Sequence, residues 1–178
     1  MGSPRGVARI DANRLERRRG PRRSGGDLAR RVAGARHGDV VARVTRPLAN
    51  FVGARALGRV LAGDAGFILR RNPDTVRARD VAFVTAVRRP GCPPAEFLDG
   101  ALDLAIEVVS PSDDGKAVDK KAGEFIAAGA CAVWAIDPGH ETAKVYTRDG
   151  ARVVASGEVL ACPELLADFE LRLPDLWA

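Results

Sequence analysis

A charged residue inside an apolar run is the feature that most constrains this sequence. Residues 102–112 read LDLAIEVVSPS, and their Leu, Ile and Val content predicts a buried strand that stops at Ser110-Pro111-Ser112. Glu107 lies in the middle of this run, and Asp103 lies near its start. An unpaired carboxylate in an apolar interior is costly in free energy. The chain must therefore supply a partner for Glu107, and the nature of that partner bears on function.

Length and composition narrow the class of protein. A chain of 178 residues, 46% of them hydrophobic, fits one domain with a sizeable core. No run approaches the roughly 18 apolar residues of a membrane span, and the N-terminus lacks the apolar segment of a secretory signal. The three cysteines form no CxxC pair, which argues against structural zinc and favours a reduced, cytoplasmic location.

The positive charge is concentrated at the N-terminus. Residues 1–36 contain eleven arginines against three acidic residues, whereas the rest of the chain is net negative. Arginine-rich segments of this kind often contact nucleic acid phosphates, and a basic tail without a partner is the open alternative. We therefore divide the chain into an Arg-rich arm at 1–35, largely irregular or divergent, and a folded domain at 36–178.

Hydrophobic periodicity in the folded domain predicts one α/β (α+β) domain, a mixed sheet flanked by helices. The expected elements, in chain order, are a helix over 37–57 stopped by Gly58, a hairpin of strands 59–62 and 66–70, a strand over 76–87, the apolar strand already described, a helix capped by Ser112 or Asp113, a strand over 130–137, a hairpin over 143–155, and a tail that completes the sheet edge.

Two acids and a lysine form the candidate site. If the strands that carry Asp80 and Glu107 are neighbours, their carboxylates lie about 5 Å apart and repel by about 3 kcal/mol at an effective dielectric of about 20. A divalent cation removes this penalty, and oxygen ligands favour Mg²⁺ or Mn²⁺. Lys121 borders the apolar face of the following helix and is the lysine best placed to orient a water, whereas Lys120 is expected to be solvated.

Purely structural roles remain open for the same residues. Asp80 is also suited to accept hydrogen bonds from backbone amides at a strand entry, and Lys121 to lie at the rim of the domain. Arg77 and Arg79 are alternative partners for Glu107. Asp103, four residues before Glu107, is expected to play a supporting role at most.

The chain also resembles a known family. The segments RARDVAFV, LDLAIEVVSPSDD, VDKKAGEFIAAG and VWAIDP resemble the Uma-type restriction endonucleases of the PD-(D/E)XK nuclease superfamily, over about residues 34–178. The resemblance implies a restriction-endonuclease-like fold and Mg²⁺- or Mn²⁺-dependent hydrolysis of DNA phosphodiesters. It places the metal ligands at Asp80 and Glu107 and the catalytic lysine at Lys121.

Three positions depart from that family pattern. Arg79 stands where proline is usual, and Val109 stands where the superfamily motif has its lysine. An upstream glutamate of the family falls on Arg22. These departures motivate an alternative hypothesis, a catalytically impaired nuclease-fold protein that acts as a nucleic-acid-binding or interaction module. Hydrolysis of another phosphoester is a third possibility.

The expected partners follow from the first hypothesis. We expect DNA as the partner and no membrane association, and we leave homodimerisation open. His37 is a weak candidate for a phosphate contact at a helix start, where amide N–H groups also point, and packing is its more ordinary role.

Overall fold

The fold is that of a computed structural model, which defines the sheet and its flanking helices over most of the chain. The described residues are 34–72, 74–88, 97–100 and 102–178, without the side chain of Asp64, and they belong to the compact unit Ala33–Ala178. The predicted arm at 1–35 falls almost entirely outside these residues. Among them, no helix is long and apolar enough to cross a membrane.

Two α-helices, nine strands and a final 3₁₀ helix make up the described fold. In chain order they are α1 (Ala35–Ala54), β1 (Gly58–Arg70), β2 (Thr75–Thr85), β3 (Leu98–Asp99), β4 (Leu104–Val108), α2 (Gly115–Ala127), β5 (Ala132–Asp137), β6 (Thr142–Thr147), β7 (Gly150–Val154), β8 (Val159–Ala161), β9 (Glu170–Arg172) and the 3₁₀ helix Leu173–Leu176.

Seven of the strands form one mixed sheet in the order β3-β1-β2-β4-β5-β6-β7. The pair β4–β5 is parallel and is connected through α2, the crossover that parallel neighbours require. The pairs β1–β2, β2–β4, β5–β6 and β6–β7 are antiparallel. The predicted mixed sheet flanked by helices is confirmed, and β4, the strand that carries Glu107, is central in it.

Alternation along the strands separates two apolar layers. On one side the buried face of α1 packs with the larger sheet residues, including Phe83, Ile106 and Trp134. On the other side α2 packs through Phe125 against smaller residues such as Ala105. Because Ile106 and Val108 face α1, the intervening Glu107 faces α2.

The predicted hairpin between 59–62 and 66–70 is wrong. Both segments belong to the single strand β1, which pairs with β2 across a register shift between Ala62 and Ala65. Gly63, at a φ of 84°, accommodates the extra residue of this bulge, because glycine tolerates positive φ. The turn signal around residue 72 instead joins β1 to β2.

Two boundaries also differ from expectation. Helix α1 ends at Ala54, and Gly58 begins β1 rather than stopping the helix. A Cβ atom at Gly58, where φ is 155°, would collide with the carbonyl oxygen of Val84, so the sheet itself requires glycine there. Helix α2 is capped by Asp114, whose side chain accepts from the Lys116 amide, and not by Ser112 or Asp113.

The C-terminal tail does not complete the edge of the main sheet, contrary to the expectation from the sequence. Strands β8 and β9 form a separate two-stranded sheet. Apolar side chains of these strands and of the adjacent segments pack into the core layer on the α1 side. Fully buried among them are Leu160, Leu166 and Leu173. The tail therefore contributes to the core beside α1.

We expect Leu166→Ala to lower the free energy of unfolding by about 2–5 kcal/mol, because it opens a cavity in that layer. Val87→Ala is the control, since Val87 is 95% exposed and its truncation should change stability by less than about 0.5 kcal/mol. Urea denaturation followed by circular dichroism measures both. Equal effects of the two substitutions would contradict a role of the tail in the core.

Candidate functional site

Asp80 and Glu107 lie on neighbouring strands at the point where the pairing of β2 with β4 ends. The β2–β4 pairing ends at Val81 opposite Ile106, and the two acids are the next residue on each strand. Beyond this pair, Asp80 Oδ2 accepts a hydrogen bond of 2.7 Å from the backbone N–H of Val108. The strands that carry Asp80 and Glu107 are neighbours, as the sequence analysis assumed. Asp80 also accepts a hydrogen bond from a backbone amide, the structural role that the sequence analysis left open.

His37 approaches Asp80 from the first turn of α1. Its Nε2 lies 3.4 Å from Asp80 Oδ2, and both side chains are mostly buried. The sequence indicated His37 only as a weak candidate for a phosphate contact and did not associate it with Asp80. The missing information was that α1 packs on the sheet with its first turn at the point where the β2–β4 pairing ends. A protonated imidazole here would form an ion pair with Asp80.

Two cations hold the Glu107 carboxylate. Arg79 Nη1 donates to Oε2 at 2.8 Å, and Lys121 Nζ lies 3.5 Å from Oε1. The choice of Lys121 over Lys120 from helical spacing is consistent with this geometry, because the Lys120 side chain is exposed. Arg79, which the sequence analysis offered as an alternative partner of Glu107, contacts the Glu107 carboxylate together with Lys121.

Arg79 is almost completely buried, with 3% of its side chain exposed. Its guanidinium carbon lies 4.1 Å from the centre of the Phe125 ring, and Nη1 also donates to the carbonyl oxygen of Ala78. Burial lowers the pKa of Arg79, and the Glu107 carboxylate opposes that shift. A guanidinium nevertheless stays protonated in proteins, so Glu107 is neutralised from inside the domain.

A change of phase along β2 explains why Arg79 reaches Glu107. Val81 and Phe83 face the α1 layer, and strict alternation would direct Arg79 to that same side. Arg79 instead contacts Phe125 on α2, and Arg77 pairs with Glu124 of the same helix. The phase changes opposite the β1 bulge, where Ala62 pairs with residue 81 and Ala65 with residue 79.

Asp103 lies at the other end of β4 and plays a structural part. Its carboxylate accepts from the Thr85 amide at 2.8 Å and from Arg88 Nε at 2.9 Å. Its carbonyl oxygen accepts from the amide of Cys131, at the start of β5. Asp103 therefore fixes the entry of β4 into the sheet and does not join Glu107.

A cavity of about 420 Å³ opens at the carboxyl ends of β4 and β5 and the N-terminus of α1, and His37 is part of its lining. Crevices at the carboxyl ends of parallel strands are common ligand sites in α/β proteins. Arg36 is the cationic side chain of the lining, His37 and His140 are its imidazoles, and Asp113 and Asp137 are its acids. His37 thus borders both the cavity and the carboxylate of Asp80.

The donor chemistry fits a hard divalent cation. Within the described ranges no group of three or more His, Cys, Asp or Glu side chains is arranged to hold a metal. Mg²⁺, however, commonly takes only one or two carboxylates and completes its shell with water and substrate phosphate. Asp80 and Glu107 would supply that pair of oxygen donors, and an ion bound there would also experience the charge of Arg79.

Comparisons with known proteins agree with this fold. A family model described as "Uma2: Putative restriction endonuclease" matches residues 17–174. The crystal structure of a protein from Anabaena variabilis, described as a "putative nuclease belonging to DUF820", matches with a TM-score of 0.73 and 19% identity over 82% of each chain. No curated protein shows significant similarity to the chain. At that identity, the structural match establishes the fold.

We expect Glu107→Gln to lower the free energy of unfolding by about 3 kcal/mol, because it leaves the Arg79 charge buried without a counter-ion. The double variant Arg79→Met/Glu107→Gln should recover much of this loss, since no unpaired charge remains. Urea denaturation of the two single variants and the double variant gives the coupling energy. Strictly additive effects would contradict a direct interaction between the two side chains.

Proposed function

This chain belongs to the Uma2 restriction-endonuclease family, and on that basis we propose that it is a metal-dependent nuclease that hydrolyses DNA phosphodiester bonds at a PD-(D/E)XK-type site. The observation that carries the proposal is the placement of two acids on neighbouring strands where the β2–β4 pairing ends, with a lysine beside the second acid. Asp80 and Glu107 follow the last β2–β4 pair, and Lys121 Nζ lies 3.5 Å from Glu107.

Each residue has a distinct part in the proposed reaction. Asp80 and Glu107 would hold Mg²⁺ or Mn²⁺, which when bound lowers the pKa of a water and stabilises charge on the phosphoryl oxygens. Lys121 is 43% exposed, so its ammonium group can turn from Glu107 toward an attacking water or the phosphate. A cation fixed at this point favours the transition state, in which negative charge accumulates.

The cavity lined by Arg36 and His37 would supply a place for the nucleic acid backbone. Amide groups at the N-terminus of α1 have no side-chain cap, and Arg36 and His37 stand in its first turn. Backbone amides and cationic side chains at a helix start favour phosphate oxygens. We therefore assign the phosphates that flank the scissile bond to this cavity. Homodimerisation stays a prediction.

Lys121→Ala should reduce DNA cleavage by about 10²–10³-fold, because it removes the cation nearest the proposed reacting phosphate. Lys120→Ala is the matched control, an adjacent exposed lysine whose loss should leave cleavage unchanged. Nicking of supercoiled plasmid in the presence of Mg²⁺ or Mn²⁺ measures both variants. Cleavage that survives both Lys121→Ala and Glu107→Ala would rule out the assigned mechanism.

One observation favours a second candidate, a nuclease-fold protein that binds nucleic acid without cleaving it. Both oxygens of Glu107 already face cations, Arg79 and Lys121, so the carboxylate has no uncompensated charge to attract a metal. The arginines of the N-terminal arm would then supply the affinity for phosphates.

In that case Arg17, Arg18 and Arg19 changed together to Gln should weaken DNA binding and flatten its dependence on salt. For every phosphate that the protein no longer neutralises, the slope of log K against log salt becomes shallower by about 0.9. Fluorescence anisotropy with labelled duplex DNA at several salt concentrations measures the slope. The second candidate is excluded if the wild type cleaves plasmid DNA, or if neither protein binds DNA.

A further inference from the structure

We propose that Arg79 is a built-in counter-cation that stands in for part of the metal charge at Glu107 and thereby sets the affinity of the site for divalent ions. The inference rests on the proposed function, because it assigns a role toward the same metal. Arg79 has no role in the family motif, and the site predicted from the sequence does not include it.

The contact geometry shows where a metal and Arg79 would compete. Arg79 Nη1 lies 2.8 Å from Oε2 of Glu107, and Lys121 Nζ lies 3.5 Å from Oε1. An ion that binds either oxygen must displace one of these cations or accept its repulsion at close range. The repulsion is strong at this position, because the carboxylate is 18% exposed and poorly screened by water.

The two cations differ in how easily they can move. Lys121 is 43% exposed and its long side chain can turn into solvent. Arg79 is enclosed by the sheet and by Phe125, and its guanidinium would lose both the stacking and the Glu107 hydrogen bond on leaving. A metal ion would therefore displace Lys121 from Oε1, and the positive charge of Arg79 would stay beside it.

The buried environment of Arg79 indicates that its charge serves to neutralise Glu107. Among the described residues, Arg79 Nε is one of the few buried polar atoms without a hydrogen-bond partner. An orphaned buried donor lowers stability, and the ion pair with Glu107 is the compensating interaction. Residue 79 is also the position at which the family resemblance predicts an uncharged proline, so the counter-cation is a feature of this chain.

The test measures binding of Mn²⁺ to the full-length protein by isothermal titration calorimetry. Arg79→Met and Arg79→Gln should both bind Mn²⁺ about 10- to 100-fold more tightly than the wild type, the range typical of groups next to metal ligands. Gln keeps a hydrogen-bond donor for Glu107 without the charge, so one variant remains informative if the other does not fold. Arg79→Lys keeps the charge and should keep the wild-type affinity.

Arg77→Met is the matched control. Arg77 lies on the same strand and faces the same helix as Arg79. Its ion pair is with Glu124, at 2.6 Å, and not with Glu107. Its substitution removes an equal charge and should leave Mn²⁺ affinity unchanged.

Thermal unfolding provides a readout independent of cleavage. Metal removal with EDTA should leave the wild-type Tm unchanged, because Arg79 neutralises Glu107 without a metal. Arg79→Met should have a lower Tm in EDTA and regain stability when Mn²⁺ is added, since the ion then supplies the missing charge.

The outcomes separate this inference from the proposed nuclease function. If the wild type binds Mn²⁺ and both uncharged variants bind no more tightly, or if Arg77→Met tightens binding equally, the role of Arg79 is overturned while the nuclease proposal stands. Tighter binding without plasmid cleavage supports the counter-cation and overturns the nuclease. If Mn²⁺ binds neither the wild type nor the variants, both proposals fall.

Discussion

The ion pair between Arg79 and Glu107 is the interaction on which the site depends. β4 lies between β2 and β5, and its other residues are buried in the two apolar layers. A carboxylate in such a strand requires a compensating charge, and Arg79 supplies it from the adjacent strand at 2.8 Å. The pair allows a central strand to carry an acid next to its last residue, which places that acid beside the β2–β4 pair and within reach of α2.

Each layer of the fold contributes a different group to this end of the sheet. The sheet supplies Asp80 and Glu107, whereas α1 brings His37 to the first acid and α2 brings Lys121 to the second. The two helices pack on opposite faces, so their polar groups reach adjacent strands from either side. The same packing that buries the apolar stripes of the helices therefore assembles the candidate site, and little further ordering of backbone is required.

Periodicity predicted the parts of this arrangement that depend on local spacing. The β4 strand, the apolar stripe of α2 and the preference for Lys121 over Lys120 follow from residue intervals alone. The choice between Arg77 and Arg79 did not, because both are odd-numbered positions of one strand. The phase change opposite the β1 bulge turns both arginines toward α2, and the sequence Gly63-Asp64 looked instead like a hairpin turn. Which of the two meets Glu107 depends on the register of β2 against β4. The contact between His37 and Asp80, which are far apart in the chain, needed the packing of α1 as well.

The buried arginine separates folding from metal binding. In a site with two acids and no internal cation, repulsion between the carboxylates is relieved by a bound metal or by protonation, so at neutral pH its stability depends on metal. Here the Arg79 charge offsets Glu107 before any ion arrives, and Phe125 holds the guanidinium in place. In the proposed site the same charge would oppose an incoming ion, because the guanidinium would stay beside the carboxylate that the ion binds. Under the proposed role of Arg79, stability without metal and weak affinity for metal would both follow from one side chain, and Arg79→Met would raise the affinity for metal while lowering the stability without it.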